Sequence, residues 1–161
     1  MLLDNNILEI EYNISSVSLD TLQKHIIKSD RIFEDATDCL DRNKTYMLEN
    51  RLYYSCYHIT KALFYLYGLK AESHYGLFSM FTKYFIHYNK MFNIFYYDIL
   101  VDSFERRRDV DYQFDIYLPE DSLQHYNECK LFIETLKEHI KNGFKKLEII
   151  KLNWPQKLIS K

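Results

Sequence analysis

Glycine and proline are scarce in this chain, at three and two in 161 residues. A β-sandwich needs a turn roughly every 8–12 residues, and turns draw heavily on those two residue types. Their scarcity predicts a few long helices instead. Cysteine is scarce as well. Cys39, Cys56 and Cys129 are odd in number and no C-x-x-C occurs, which excludes a paired disulfide framework and points to reduced thiols. A formal charge of −2 gives no global attraction to phosphate, so nucleic-acid binding would need a local basic patch. No window approaches the roughly 20 uncharged apolar residues of a membrane span. Asp4 and Glu9 lie near the start, with no basic region and apolar stretch behind it, so no signal peptide and a cytoplasmic location are expected. A Gly-rich phosphate loop, an H-E-x-x-H pair and a serine elbow are all missing. No metal site and no cofactor are expected.

What the chain does have is aromatic bulk, with 15 Tyr and 11 Phe, and a hydrophobic share of 47% against 27% charged. That balance is globular. Each tyrosine ring buries a large area while its hydroxyl needs a partner. Many tyrosines are therefore expected at the core edge, ring inside and oxygen wet.

Hydrophobic periodicity predicts an all-α fold, an antiparallel bundle of about five helices in a single domain over 1–161. Its core spans about 18–142, with flanking arms at 1–17 and 143–161. The first helix is expected over about 19–41, behind Ser18 as N-cap. The second covers about 46–67, with Thr45 as cap, Glu49 near the first turn and Gly68 as the left-handed stop. This second helix is apolar nearly all round, which places it centrally. Helices over about 74–88 and 94–112 follow, broken at Asn89-Lys90. Pro119 restarts the chain for a fifth helix, which Gly143 is expected to end near 142. Residues 8–14 alternate apolar and polar, which fits a strand paired with 147–154, an irregular arm or a helix extension alike.

The densest charged segment is Glu105-Arg106-Arg107-Arg108-Asp109-Val110-Asp111-Tyr112. Three adjacent arginines fan over about 200° of a helix and cannot share one partner. Arg107 and Asp111, four apart, share a face. They form either a solvated surface pair or an arginine held by an acid and offered to phosphate. His58 lies on the most apolar helix, with Tyr54 and Lys61 on its face; a histidine satisfied by a tyrosine hydroxyl is the plain alternative to a functional one. Arg51 and His58 stand two helical turns apart. His74 opens the third helix, where a neutral capping imidazole is expected. Cys56 and His58 point different ways and make a poor metal pair.

Three segments, taken in order, resemble the HEPN family of small helical proteins. Arg51-Leu52-Tyr53-Tyr54-Ser55-Cys56-Tyr57-His58-Ile59-Thr60-Lys61-Ala62-Leu63 is similar to that family's A-Y-Y-A-x-F-H-A-x-x-A-L-L helix. His74-Tyr75-Gly76-Leu77, with Phe81, Phe85 and Ile86, resembles H-x-G-V…F…F-V. Arg107-Arg108-Asp109-Val110-Asp111-Tyr112 resembles R-x-x-A-D-Y. The match covers about 45–142. It implies a helical bundle that forms homodimers, set in toxin–antitoxin or other defence systems, often beside a minimal nucleotidyltransferase. Active members are metal-independent RNases with an Arg-x4–6-His motif at the subunit interface. The histidine would act as base on a ribose 2′-hydroxyl and the arginine would stabilise charge on the phosphate.

The chain departs from that pattern at one position. Five residues on from Arg107 stands Tyr112, not histidine, and a phenol is a far weaker base than an imidazole at neutral pH. The slot of the family's modifiable tyrosine holds Phe114. The leading expectation is therefore a module that binds nucleotide or RNA phosphate. Arg107 would contact phosphate, Asp111 would orient it and Tyr112 would stack; Tyr54, Lys61 and His74 would add polar groups. Catalytic candidates are Arg107, Tyr112 and His58. The alternatives are an RNase toxin in which His58 or His74 faces Arg107 across the helices, and a non-enzymatic antitoxin or adaptor whose exposed aromatics form its interface.

Overall fold

The computed structural model describes residues 16–113 and 117–146. The expected strand at 8–14, its partner at 147–154 and Phe114 lie outside the described residues. Among the described residues, five helices make up an all-α bundle: α1 (Ser16–Asp41), α2 (Thr45–Leu66), α3 (His74–Met80), α4 (Ile94–Arg108) and α5 (Pro119–Lys146). α3 runs on into a π-helical stretch, Phe81–Tyr88, and α4 into a second, Asp109–Gln113.

The breaks follow local chemistry. Asn43 takes the left-handed conformation at φ 56°, which asparagine tolerates better than most residues. It lets the Lys44 N–H bond back to the Cys39 carbonyl at 2.9 Å. Gly68, at φ 65°, closes α2 in the same way, with the Leu69 N–H on the Phe64 carbonyl at 2.9 Å. Both are six-to-one closures that satisfy carbonyls orphaned at a helix end. Other expected ends are corrected. α1 begins at Ser16, so Ser18 lies inside the helix. Thr45 is the first residue of α2, and its predecessor Lys44 makes no side-chain cap. The cap of α3 is Ser73, whose Oγ accepts from the Gly76 N–H at 3.0 Å; His74 is not the cap.

α2 is central, as its composition predicts. It packs on α1 most extensively, then on α5 and α4, and buries Leu48, Leu52, Tyr53, Cys56, Ile59, Leu63 and Phe64. The seam with α1 is polar at one level. Ser29 Oγ donates to the Ser55 carbonyl and Ser55 Oγ to the Ser29 carbonyl, each at 2.8 Å. Side chains that short let two helices approach closely while every buried hydroxyl stays satisfied. Gly143 has a related role and does not stop α5, which continues to Lys146. A Cβ there would lie 2.8 Å from Leu66 Cδ2, so any larger residue would have to displace the Leu66 methyl at the end of α2.

An aromatic core fills the far end of the bundle. Phe85 meets Phe64 and Phe81 at 5.7 and 5.6 Å between ring centres, and Phe81 meets Phe132 at 6.0 Å. Several tyrosine hydroxyls find protein partners where water was expected. Tyr67 bonds His139 Nε2 at 2.6 Å and Tyr126 bonds Thr37 at 2.8 Å. Tyr53, wholly buried, bonds His74.

Candidate functional site

The three consecutive arginines of α4 leave the helix toward three different surroundings. Arg106 turns inward to Glu49. Arg107 faces α2. Arg108 lies over the Phe104 ring, with its Cζ 5.8 Å from the ring centre.

Around Arg107 the structure gathers most of the residues that the sequence singled out. Arg107 Nε is 2.8 Å from Asp111 Oδ2. That contact is an ion pair without an aligned hydrogen bond, because the buried Nε–H finds no acceptor in line. The guanidinium lies against two rings, with Cζ 5.5 Å from the centres of both Tyr54 and Tyr112. Arginine–aromatic contacts of this kind hold the planar group in place. Asn50, one turn before Tyr54 on α2, donates to Asp111 Oδ2 at 3.1 Å and fixes the carboxylate from the other side. The Arg107 side chain is 15% exposed and Tyr112 is 68% exposed, so the tyrosine is the solvent-facing member of the cluster.

Local backbone explains why Tyr112 joins this cleft. On an α-helix, residues five apart point about 140° away from each other. At the end of α4 the chain passes into the π-helical segment Asp109–Gln113. The π turn closes between residues five apart, which carries Tyr112 back toward the face of Arg107.

His74 forms the next wall. Its Nδ1 bonds the Tyr53 hydroxyl, and its ring lies 5.3 Å from Phe104 and 5.4 Å from Tyr57. Burial, and after it the Arg107 cation, push the imidazole below its ordinary range, so His74 is neutral at pH 7.

His58 and Lys61 are held elsewhere. His58 Nδ1 pairs with His25 Nδ1 at 2.9 Å, and His25 stacks on Tyr65 at 5.5 Å. The partner of His58 is thus a histidine, not the tyrosine expected. Burial first, then the lysines Lys28 and Lys61 together with the neighbouring imidazole, bring the histidines down to about 4. Lys61 Nζ donates to the Ala71 carbonyl at 2.6 Å and so ties down the loop between α2 and α3. Arg51 turns to Asn50 and Asp35 and does not join His58.

A second constellation went unrecognised in the sequence. Glu49, fully buried on α2, accepts from Ser122 Oγ at 3.0 Å and from Arg106 at 3.5 Å. Its other oxygen meets His125 Nδ1 at 2.5 Å. His125 Nε2 lies 3.3 Å from Cys129 Sγ. Burial alone would lower the His125 imidazole, but Cys129 and Glu49, one against each ring nitrogen, outweigh that and hold it above its ordinary range. Burial, with a further push from Cys56, drives the Cys129 thiol well upward. Cys129 is therefore a neutral thiol, and the negative charge that keeps His125 protonated is Glu49's. The order thiol, imidazole, carboxylate resembles a nucleophile chain, yet Glu49, His125 and Cys129 are all wholly buried. A thiol that is both protonated and out of reach of substrate is inert. One signal for this network was present in the sequence: a carboxylate on the most apolar helix needs a buried partner.

Among the described residues, no group of three or more His, Cys, Asp or Glu side chains could hold a metal ion, and no helix is long and apolar enough to cross a membrane. The three cysteines are free and buried. The sequence matches no family model, and comparison with curated proteins gives no match either.

Proposed function

We propose that the chain binds a phosphate-bearing ligand, a nucleotide or RNA, at the cleft formed by Arg107, Asp111, Tyr112, Tyr54 and His74. The observation that carries this reading is the state of Arg107: one carboxylate in poor alignment, two tyrosine rings against the guanidinium, and a side chain that stays 15% exposed. A guanidinium fixed in this way has lost its side-chain freedom before any ligand arrives, which favours bidentate contact with an anion. Tyr112, exposed to solvent, offers a stacking face for a base. The HEPN resemblance supports the same reading. Homodimer formation, a nucleotidyltransferase partner and a toxin–antitoxin setting rest on that resemblance alone, and light scattering on the purified protein tests the first of them. The binding test is titration with AMP. Arg107→Ala is expected to weaken binding about tenfold to a hundredfold, the worth of a charge-assisted hydrogen bond. Equal AMP affinity in wild type and variant sinks the proposal.

One observation favours a second reading, a metal-independent RNase. His74 is neutral and feels the Arg107 cation, so a base and a phosphate-binding group share one cleft. In this reading His74 replaces the histidine that the motif lacks, and His58, committed to His25, has no part. RNA cleavage in EDTA that is lost in both Arg107→Ala and His74→Ala supports it. No cleavage by folded wild type removes it.

A further inference from the structure

A groove of about 510 Å3 runs between α3 with its π-helical continuation and α4. Tyr75, Phe78 and Phe104 form much of its apolar lining, and Lys83, Glu105 and Arg108 also line it. Two cations against one carboxylate give the lining a local positive excess in a chain whose overall charge is negative. Tyr75 is 68% exposed, but it does not hang free. Its ring stands edge-on to Phe78 at 6.2 Å and to Phe104 at 5.9 Å, which leaves its outer surface open. Phe104 links this groove to the Arg107 cleft. It contacts Tyr53 and His74, both at 5.3 Å, and on α4 it precedes Arg107 by three residues and Arg108 by four.

We infer that the groove takes the neighbouring nucleotide of a single strand whose phosphate lies on Arg107, so that an oligonucleotide is the preferred ligand over a free mononucleotide. This rests on the phosphate reading of Arg107 given above. A single strand repeats a flat apolar base and an anion at every unit, and the groove offers an aromatic surface beside cations. An acidic peptide would satisfy the cations and leave the aromatic lining without a planar partner.

The test is competitive binding to the full-length chain, read by fluorescence anisotropy. The competitors are AMP, di- and tetra-adenylate in ribo and deoxy forms, and polyglutamate. A stacked base beside an added phosphate contact is expected to make the oligomers bind about tenfold or more tightly than AMP. Tyr75→Ala and Lys83→Glu, both at exposed positions, are expected to abolish that gain and leave AMP affinity unchanged. Arg107→Ala should weaken every nucleotide. A length gain with either sugar supports the inference. AMP binding without a length gain, a gain that survives both groove variants, or polyglutamate competing as well as RNA overturns it and leaves the Arg107 reading standing. Absence of all nucleotide binding overturns both.

Discussion

Arg106 and Arg107 are chain neighbours on one helical turn, and their surroundings could hardly differ more. Arg106 meets two carboxylates, Asp102 at 2.9 Å and the wholly buried Glu49 at 3.5 Å, and its Cζ lies 4.4 Å from the Tyr117 ring centre. On its other oxygen Glu49 holds the protonated His125. Arg107 meets one partly exposed carboxylate out of line, against two tyrosine rings, with part of its side chain open to solvent. A buried charge network is strongly destabilised when one member is removed, because the others stay behind unpaired. A half-satisfied arginine at a cleft leaves little behind when it is removed, and it has capacity left for a ligand. The comparison separates the part of α4 that holds the bundle together from the part free to act.

The largest effect is expected at Glu49. Glu49→Ala strands the buried His125 and leaves Arg106 with Asp102 alone, and should cost about 3–5 kcal/mol, seen as a lower urea midpoint at unchanged slope. Replacing Glu49 and His125 together by leucine should cost much less than the two single changes added, because no charge pair is left half broken. Additive costs would show that the two residues do not act as a unit.

Acid and alkali should probe different histidines. His125 is held above its ordinary 6.5 in the folded chain. Its contribution is full below pH 6.5 and is lost as pH rises through the raised folded value. His25 and His58 are brought down to about 4. Between pH 6.5 and 4 the unfolded chain takes up protons that the folded chain refuses, so their contribution is lost as pH falls through that window. Urea midpoints measured from pH 4 to 10 should thus fall at both ends. In His125→Gln the alkaline decline should shrink while the acid decline remains.

A smaller effect is expected at Tyr53→Phe, which removes the hydroxyl on His74 and leaves the ring in place. The loss should be about 1 kcal/mol, the net worth of one hydrogen bond. If the cleft is a binding site, the same change should also weaken AMP binding by loosening the His74 wall. A variant with lower stability and unchanged AMP affinity would remove His74 from the ligand's surroundings.

The bundle itself was largely legible in the sequence. The apolar girdle of α2 marked it as central, and Gly68 and Asn89-Lys90 marked breaks where the chain does turn, with Lys90 at φ 51°. Arg107 with Asp111 was legible because a four-residue spacing is local. What escaped was long-range or departed from α-helical geometry. His58 pairs with a histidine 33 residues away, and Glu49 with one 76 away; no local pattern specifies such partners. Tyr112 reaches Arg107 through a π turn that a period of 3.6 residues does not anticipate. Glycine's common place is past a helix end, but Gly143 lies inside α5, beside the Leu66 side chain.

The most direct test measures thermal stability and AMP binding side by side in Arg106→Ala and Arg107→Ala. The expected result is a lowered Tm in Arg106→Ala, and in Arg107→Ala a Tm close to wild type with AMP binding weakened about tenfold or more. An Arg107→Ala protein that binds AMP as wild type does, or that loses as much stability as Arg106→Ala, would contradict the division of roles between these two arginines.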